Sequence, residues 1–477
     1  MISRRLKMNM DVDKLRQQFK KYGQEHVFRF WPQLNREQQE QFSRQLHSID
    51  LALVARLAET FVLNPQQAQK RRQDIVTAEV IPIPESEEEN QKAERARKTG
   101  EEYLCAGKVG VILVAGGQGT RLGYSGSKGK YPVTPVKGKS LFQLHAEKIL
   151  ALSRKHDTSL PWYIMSSAIN DAETRAFFQE NQYFGLAKKD LFFFQQQMIP
   201  AVDQNGKLFL AEKGKVFTNP NGHGGTLQAL KQSGALEDMA KRGIEELFYF
   251  QVDNVLTRIC DPVFLGYHVQ QKAEMSSKVL AKRDPYEKLG VVGYRNGKLS
   301  VIEYSDLSKE EMEAKTPDGR LKFNAGSIAI HNINRTFIKN LTNGNLVMPY
   351  HRAHKKIPYI DEAGNRINPG EANGNKFEMF IFDALQYTTQ SVVMEVARAE
   401  EFSPVKNAAG EDSAETARQA LCNLYGNWLK KTGVPVKRKN GNVVGRLEIS
   451  PLFAGDEKEF VAKCPPDLTF FDGLYLG

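Results

Sequence analysis

The sequence predicts an α/β protein built on a mostly parallel sheet with helices on both faces. Two observations predict it. From residue 108 onward, short apolar runs alternate with segments of helical spacing. The first apolar run ends in a glycine-rich turn, AGGQGTRLG (115–123). Open α/β sheets place their ligands at such carboxyl ends of strands.

Each element follows in order. Residues 11–75 read as helices, because DKLRQQFKKYGQEHVFRFWPQL and REQQEQFSRQLHSIDLALVARLAETF repeat their apolar positions at helical spacing. VIPIPESEEENQ (80–91) breaks the pattern with two prolines and an acidic run. A charged helix, QKAERARKTGEEYLCAG, leads into the strand VGVILVAGG (109–117) and the helix SLFQLHAEKILALS. Ser140 with Gln143 makes a capping box for that helix. The strands WYIMSS (162–167), DLFFFQQQ (190–197) and ELFYFQVDN (246–254) follow, each trailed by a helical segment. VVGYRNGKLSVIEYS (291–305) is a hairpin that turns at Asn296-Gly297. Past about residue 400 the pattern suggests a small β-rich appendage. The division expected is a helical N-terminal domain (1–100), a central catalytic domain (101–400) and a small C-terminal domain (401–477).

The bulk numbers exclude several classes. The chain has 477 residues, too many for one ordinary domain, and its 41% hydrophobic content suffices for a sizeable core. No window approaches ~20 uninterrupted apolar residues, so no membrane span is expected. The basic start MISRRLKMNMDVDKLRQQF lacks the apolar stretch of a secretory signal. Cys105, Cys260, Cys422 and Cys464 are scattered, with no CxxC pair, and read as reduced cytoplasmic thiols. The net charge of +10 is dispersed, which suits anionic small molecules better than nucleic acid.

The glycine turn fits neither common nucleotide motif. A GxGxxG fingerprint starting at Gly117 would need glycine at 122, where Leu122 stands. A Walker A reading of Gly138-Lys139-Ser140 would need glycine at 133, where Val133 stands. What remains is a run of backbone that an anion can approach closely, followed by Arg121 and Lys128. Arginine brings a rigid fork for phosphate and lysine a mobile point charge. The bland alternative is a turn with solvated basic residues.

AGGQGTRLG…SKGKYPV (115–133) resembles the signature of the UDP-sugar pyrophosphorylases, especially the eukaryotic-type UDP-N-acetylhexosamine enzymes. GQEHVFRFW (23–31), FFQQQMIPAVD (193–203), NGHGGTLQAL (221–230), QVDN (251–254), FNAGS (323–327), KFEMFIFDAL (376–385) and EFSPVKN (401–407) resemble that family's motifs, in its order. The resemblance implies a Rossmann-like nucleotidyltransferase fold, similar to that of GT-A enzymes. It implies that UTP and a hexose 1-phosphate become a UDP-sugar and pyrophosphate, with Mg2+ as cofactor and with neither nucleic acid nor membrane as partner.

The same resemblance assigns residues. Ala115, Gly116 and Gly117 would hold the nucleotide through their backbone, and Gly222 would touch the base. Arg121, Lys128 and Lys406 would bind phosphate. Gln196 would read uracil, and Asp253 would bind magnesium. Gly290, Glu303 and Asn324 would lie near the sugar, with His223. His223 stands where the acetylhexosamine enzymes show asparagine, and Ser327 also departs from their asparagine. A histidine at 223 resembles the UTP–glucose-1-phosphate uridylyltransferases. The whole-chain likeness implies N-acetylglucosamine 1-phosphate, and glucose 1-phosphate is the alternative.

These residue types suit the reaction. The attacking phosphate oxygen is already anionic, so positioning and charge neutralisation carry the catalysis. A glutamine amide has both a donor and an acceptor for uracil. Taken alone, each residue has a plainer reading: Asp253 as an Asx turn with Asn254, Gln195–Gln197 as solvated amides, His223 as a packing ring. Two rivals remain. A glycosyltransferase that consumes a UDP-sugar would show paired carboxylates, and QVDN has one aspartate. A non-catalytic nucleotide-sugar sensor would not need Arg121 and Lys128.

Overall fold

The computed structural model describes residues 2–64, 74–343 and 348–477. Packing divides the chain into two compact units: 1–73, 196–225 and 347–381 form the first, and the remainder forms the second. This differs from the expected three-way division at 100 and 400. Residues 74–100 belong with the sheet, and the helical leader recruits two distant segments.

In the first unit the leader forms helices Ile2–Lys21, Arg36–His47 and Leu51–Ala58, as its spacing predicts. Residues 65–73 of that prediction lie outside the described residues. Asn35 and Gln38 close a capping box on the second helix, and Asp50 caps the third. Phe19, Phe42, Leu46 and Val54 share one core with Val202, Leu210 and Phe377. Two glutamines fasten the distant segment. Gln24 donates to Gly206 O at 2.8 Å and accepts from Leu208 N at 2.9 Å. Gln45 donates to Val216 O and accepts from Val216 N, each at 2.9 Å. Each amide meets one backbone N–H and one carbonyl, as a neighbouring strand would. Local periodicity cannot reveal such joins.

The second unit holds the sheet. Strand Val109–Val114 lies between Trp162–Ser166 and Glu246–Gln251, parallel to both, and Leu191–Gln195 extends this parallel half. Beyond it the sheet is antiparallel: Ala325–Asn334 runs against Glu246–Gln251 on one side and Met275–Ala281 on the other. The sheet is therefore mixed. Its parallel half is the part that the strand–helix alternation covers. Val291–Arg295 and Lys298–Ile302 form the expected hairpin, with Asn296 at φ 52° and Gly297 at φ 75°. Both turn residues need positive φ, which Asn-Gly supplies. Val111, Leu113, Trp162, Ile164, Phe248 and Phe250 are fully buried between the helical layers.

Two sequence expectations need correction. Ser140 caps helix Leu141–Lys155 by accepting from Gln143 N, but the Gln143 amide goes to Glu147, so the capping box is half made. The segment past 400 is not β-rich. It is led by the 18-residue helix Ala414–Lys431, and its strands are two- and three-residue pairs. Leu421, Leu429, Leu447 and Phe460 join the sheet's own core, so this segment is no appendage.

Helix Glu87–Cys105 packs on helix Pro262–Gln270 through two glycines. A Cβ on Gly266 would sit 1.7 Å from Ala96 O, and one on Gly100 would sit 2.0 Å from Pro262 O. Both obstacles are backbone, so the helices would have to separate. Gly266→Ala is expected to lower unfolding free energy by about 1–3 kcal/mol or more, read as a lower urea midpoint. An unchanged midpoint would mean that the two helices are not in this contact.

Candidate active site

Strands Val109–Val114 and Glu246–Gln251 are neighbours in register, Val114 beside Gln251, so the turns after them share one sheet edge. The first turn is the glycine loop. Its backbone folds on itself: Gly119 N donates to Gly126 O and Lys128 N to Gly117 O. Gly129 is needed for packing, since a Cβ there would lie 2.2 Å from the Phe142 ring. Gly117 is different: a Cβ would meet nothing within 4 Å. Packing does not require glycine at 117, and the space beside it is open.

The second turn brings Asp253 to Lys128. The Lys128 Nζ donates to Asp253 Oδ2 at 2.8 Å, with the two side chains 17% and 12% exposed. Asp253 Oδ1 accepts no hydrogen bond from the described residues. The Asx-turn work falls to Asn254: its Oδ1 accepts from Leu256 N and Ser403 N, and its Nδ2 donates to Glu401 O. The Asp253 carboxylate thus holds no backbone. Among the described residues no group of three or more His, Cys, Asp or Glu could cage a metal. One open, hard carboxylate oxygen does fit a magnesium ion whose other ligands are phosphates and water.

The other basic residues stand on the same unit. Val405 N donates to Asp253 O at 2.9 Å, which sets Lys406 one residue from that turn. Lys406 Nζ lies 3.4 Å from Asp412 Oδ2, and its side chain is 43% exposed. Arg121 is exposed and has no ion-pair partner among the described residues. Both can reach an anion at modest desolvation cost.

Gly290, Glu303 and Asn324 gather at the far side of the sheet edge. Gly290 O accepts from Ser327 N at 2.8 Å, and a Cβ on Gly290 would lie 3.6 Å from Glu303 Oε1. Asn324 Oδ1 accepts from Lys282 N at 2.8 Å. A cavity of about 180 Å³ opens beside Asn324, walled by Val279, Val291, Phe323 and Glu395 among others. Neither Lys128 nor Asp253 lines it.

Gln196, Gly222 and His223 belong to the first unit. Gln195 and Gln197 are exposed, whereas Gln196 is buried at 7% and its amide has no partner among the described residues. The strand itself ends at Gln195, and Gln196 turns inward just beyond it. Gly222 has φ 87°, and a Cβ would sit 2.4 Å from Met379 O, so packing alone explains this glycine. His223 Nδ1 accepts from Ile381 N at 3.2 Å, and its ring stacks on Phe380 at 5.4 Å. Burial, then the neighbouring His351, hold its pKa down to about 4, so the ring is neutral at neutral pH. These contacts are those of a packing histidine.

Four residues around the two turns escaped the sequence reading. Ser167 and Asn170 bond the carbonyls of the glycine loop. His145 Nε2 donates to Val252 O at 3.0 Å, and Lys148 Nζ donates to Val255 O at 2.7 Å and Thr257 O at 2.9 Å. Burial holds the pKa of Lys148 down to about 7 and that of His145 down to about 3. The signal for this pair was present: His145 and Lys148 stand on the stripe of Leu141, Leu144 and Ile149, where only apolar residues belong.

Comparisons agree on one family. The family described as UTP–glucose-1-phosphate uridylyltransferase matches residues 58–424. UDP-N-acetylhexosamine pyrophosphorylase-like protein 1 of Xenopus tropicalis is 38% identical over 460 residues, covering 90% of this chain and 89% of that protein. UDP-N-acetylglucosamine pyrophosphorylase of Saccharomyces cerevisiae is 39% identical over 442 residues, covering 88% and 92%. The crystal structure of the uridine diphosphate N-acetylglucosamine pyrophosphorylase from Trypanosoma brucei superposes with a TM-score of 0.81 at 25% identity, covering 98% of each chain.

Proposed function

We propose, since this chain belongs to the UTP–glucose-1-phosphate uridylyltransferase family, that it transfers the uridylyl group of UTP to N-acetylglucosamine 1-phosphate and releases pyrophosphate. The observation that carries the reading is the Lys128–Asp253 pair, 2.8 Å apart beside an open glycine loop at the carboxyl ends of two parallel strands. A cation and a carboxylate at that edge can order a triphosphate and bear the charge that moves during displacement. The relatives that cover most of this chain carry the acetylated hexosamine in their names, which supports that sugar over glucose.

The reaction forms one P–O bond and breaks another. A sugar-phosphate oxygen attacks the α-phosphorus, and the bond to pyrophosphate breaks in line. No proton has to be removed from the nucleophile. Lys128, Arg121 and Lys406 would neutralise the phosphates, and the glycine loop would approach them with backbone. A magnesium ion on Asp253 would add charge neutralisation when bound. Gly290, Glu303 and Asn324 would line the sugar, while His223 packs the turn that carries it. No helix among the described residues is long and apolar enough to cross a membrane, and the four cysteines are free. Both suit work in the cytoplasm. Pyrophosphate release that requires both UTP and N-acetylglucosamine 1-phosphate tests the proposal. No release with any hexose 1-phosphate would overturn it.

Base choice supplies a second test. Gln196 is the buried member of its trio, with both amide groups available for uracil. Cytosine swaps an acceptor for a donor and lacks the imide proton, leaving polar groups unpaired at about 1–3 kcal/mol for each buried group. Wild type should therefore favour UTP over CTP by at least about tenfold in kcat/KM, and Gln196→Ala should lose most of that preference. Equal use of both nucleotides by wild type would refute the selectivity; an unchanged preference in Gln196→Ala would refute the residue.

A further inference from the structure

Asn170 stands at the N-cap of helix Asp171–Glu180, yet its side chain makes no capping bond. Asparagine is favoured at that position because its oxygen satisfies a free helix N–H. Here the side chain is fully buried and turned the other way. Its Nδ2 donates to Ala115 O at 2.9 Å and reaches Gly117 O at 3.4 Å, while its Oδ1 accepts from Ser167 N at 2.8 Å. Ser167 Oγ in turn lies 3.0 Å from Gly116 O. Ala115 O and Gly116 O are thus held by residues 167–170, and Gly117 O, which accepts from Lys128 N at 3.2 Å, lies within reach of the same amide.

The N–H groups must follow. In a trans peptide the C=O and the N–H point in opposite directions, and none of the described peptide bonds is cis. Carbonyls 115, 116 and 117 facing inward turn the N–H groups of Gly116, Gly117 and Gln118 outward. None of these three has a partner among the described residues. The space that a Cβ on Gly117 would enter is open. Successive outward N–H groups make an anion-binding concavity.

We infer that Asn170, backed by Ser167, is a positioning residue for the phosphates of the nucleotide: it holds the loop carbonyls back so that three N–H groups face the anion. The inference rests on the proposed reading of this loop as the phosphate site. It concerns residues that bond no substrate and act through the backbone of 115–117.

The test uses the whole protein and two ligands, UTP and uridine, titrated in excess chelator. Asn170→Asp keeps the acceptor for Ser167 N and loses the donor to Ala115 O. Ser167→Ala removes the hydroxyl at Gly116 O. Asn170→Asp should weaken UTP about ten- to a hundredfold, with uridine changed by less than about twofold; Ser167→Ala should shift UTP in the same direction by less. A general loss of structure would weaken both ligands and lower the melting temperature, so parallel weakening would overturn the inference. So would unchanged UTP binding. If Asn170→Asp fails to fold, Ser167→Ala decides alone. Wild type that binds UTP no better than uridine would overturn the phosphate reading of the loop itself, a separate failure.

Discussion

Lys128→Met is expected to lower kcat about 10²–10³-fold with both substrates saturating, while the fold survives. Methionine keeps the length and apolar stem of lysine and removes the charge. The side chain bonds Asp253 and is only 17% exposed, so the ammonium is already placed before substrate arrives. Preorganised charge is what such a displacement needs, because two anions must approach one another. The melting temperature should fall as well, because the Asp253 side chain is only 12% exposed and loses its cationic partner, so kcat is compared at a temperature where the variant is folded. Arg121→Ala should act in the same direction, with no effect on stability, since Arg121 is exposed and unpaired among the described residues. Near wild-type turnover in either variant would remove that residue from the catalytic account.

Asp253→Asn should be the other severe change, with a loss of about 10²-fold or more that added magnesium does not restore. Asparagine preserves size and can still meet Lys128, but it lacks the charge that holds a divalent cation. The variant should melt close to wild type, because Asn254 and not Asp253 fastens this turn to Ser403 and Glu401. Wild type should also lose activity in excess chelator. Full activity in chelator would contradict the metal, and an active Asp253→Asn enzyme would contradict the residue.

Much of this site is legible in the sequence because its parts are local. The strand ends, the glycine loop and Lys128 follow one another within a single strand–turn passage. The resemblance selects Gln196, and it is the buried one of the three glutamines, just past the end of strand Leu191–Gln195. What escaped is what depends on partners far away in the chain. Asn170 reads as a helix cap, and only its distance to Ala115 O shows the amide spent on another loop. Lys148 reads as one charge on an amphipathic helix, and only Val255 O and Thr257 O explain its burial. The strand Ala325–Asn334 was missed as well. Its register slips beside Lys278 and Val279, and Ala329 takes φ 56°, so no simple alternation marks it. The first unit is assembled from three separated segments, joined by amides such as Gln24 and Gln45 that look like ordinary surface residues in the sequence.

The sugar is the most direct measure of the whole reading. Pyrophosphate release from UTP should be followed with N-acetylglucosamine 1-phosphate and with glucose 1-phosphate, in wild type and in His223→Asn. His223 is bound to Ile381 N and stacked on Phe380, so its exchange should leave the ratio of kcat/KM values for the two sugars unchanged within about threefold. Wild type should prefer the acetylated sugar. A preference for glucose 1-phosphate of more than about tenfold would contradict the account, and a His223→Asn enzyme that then turned towards the acetylated sugar would make position 223 the selector.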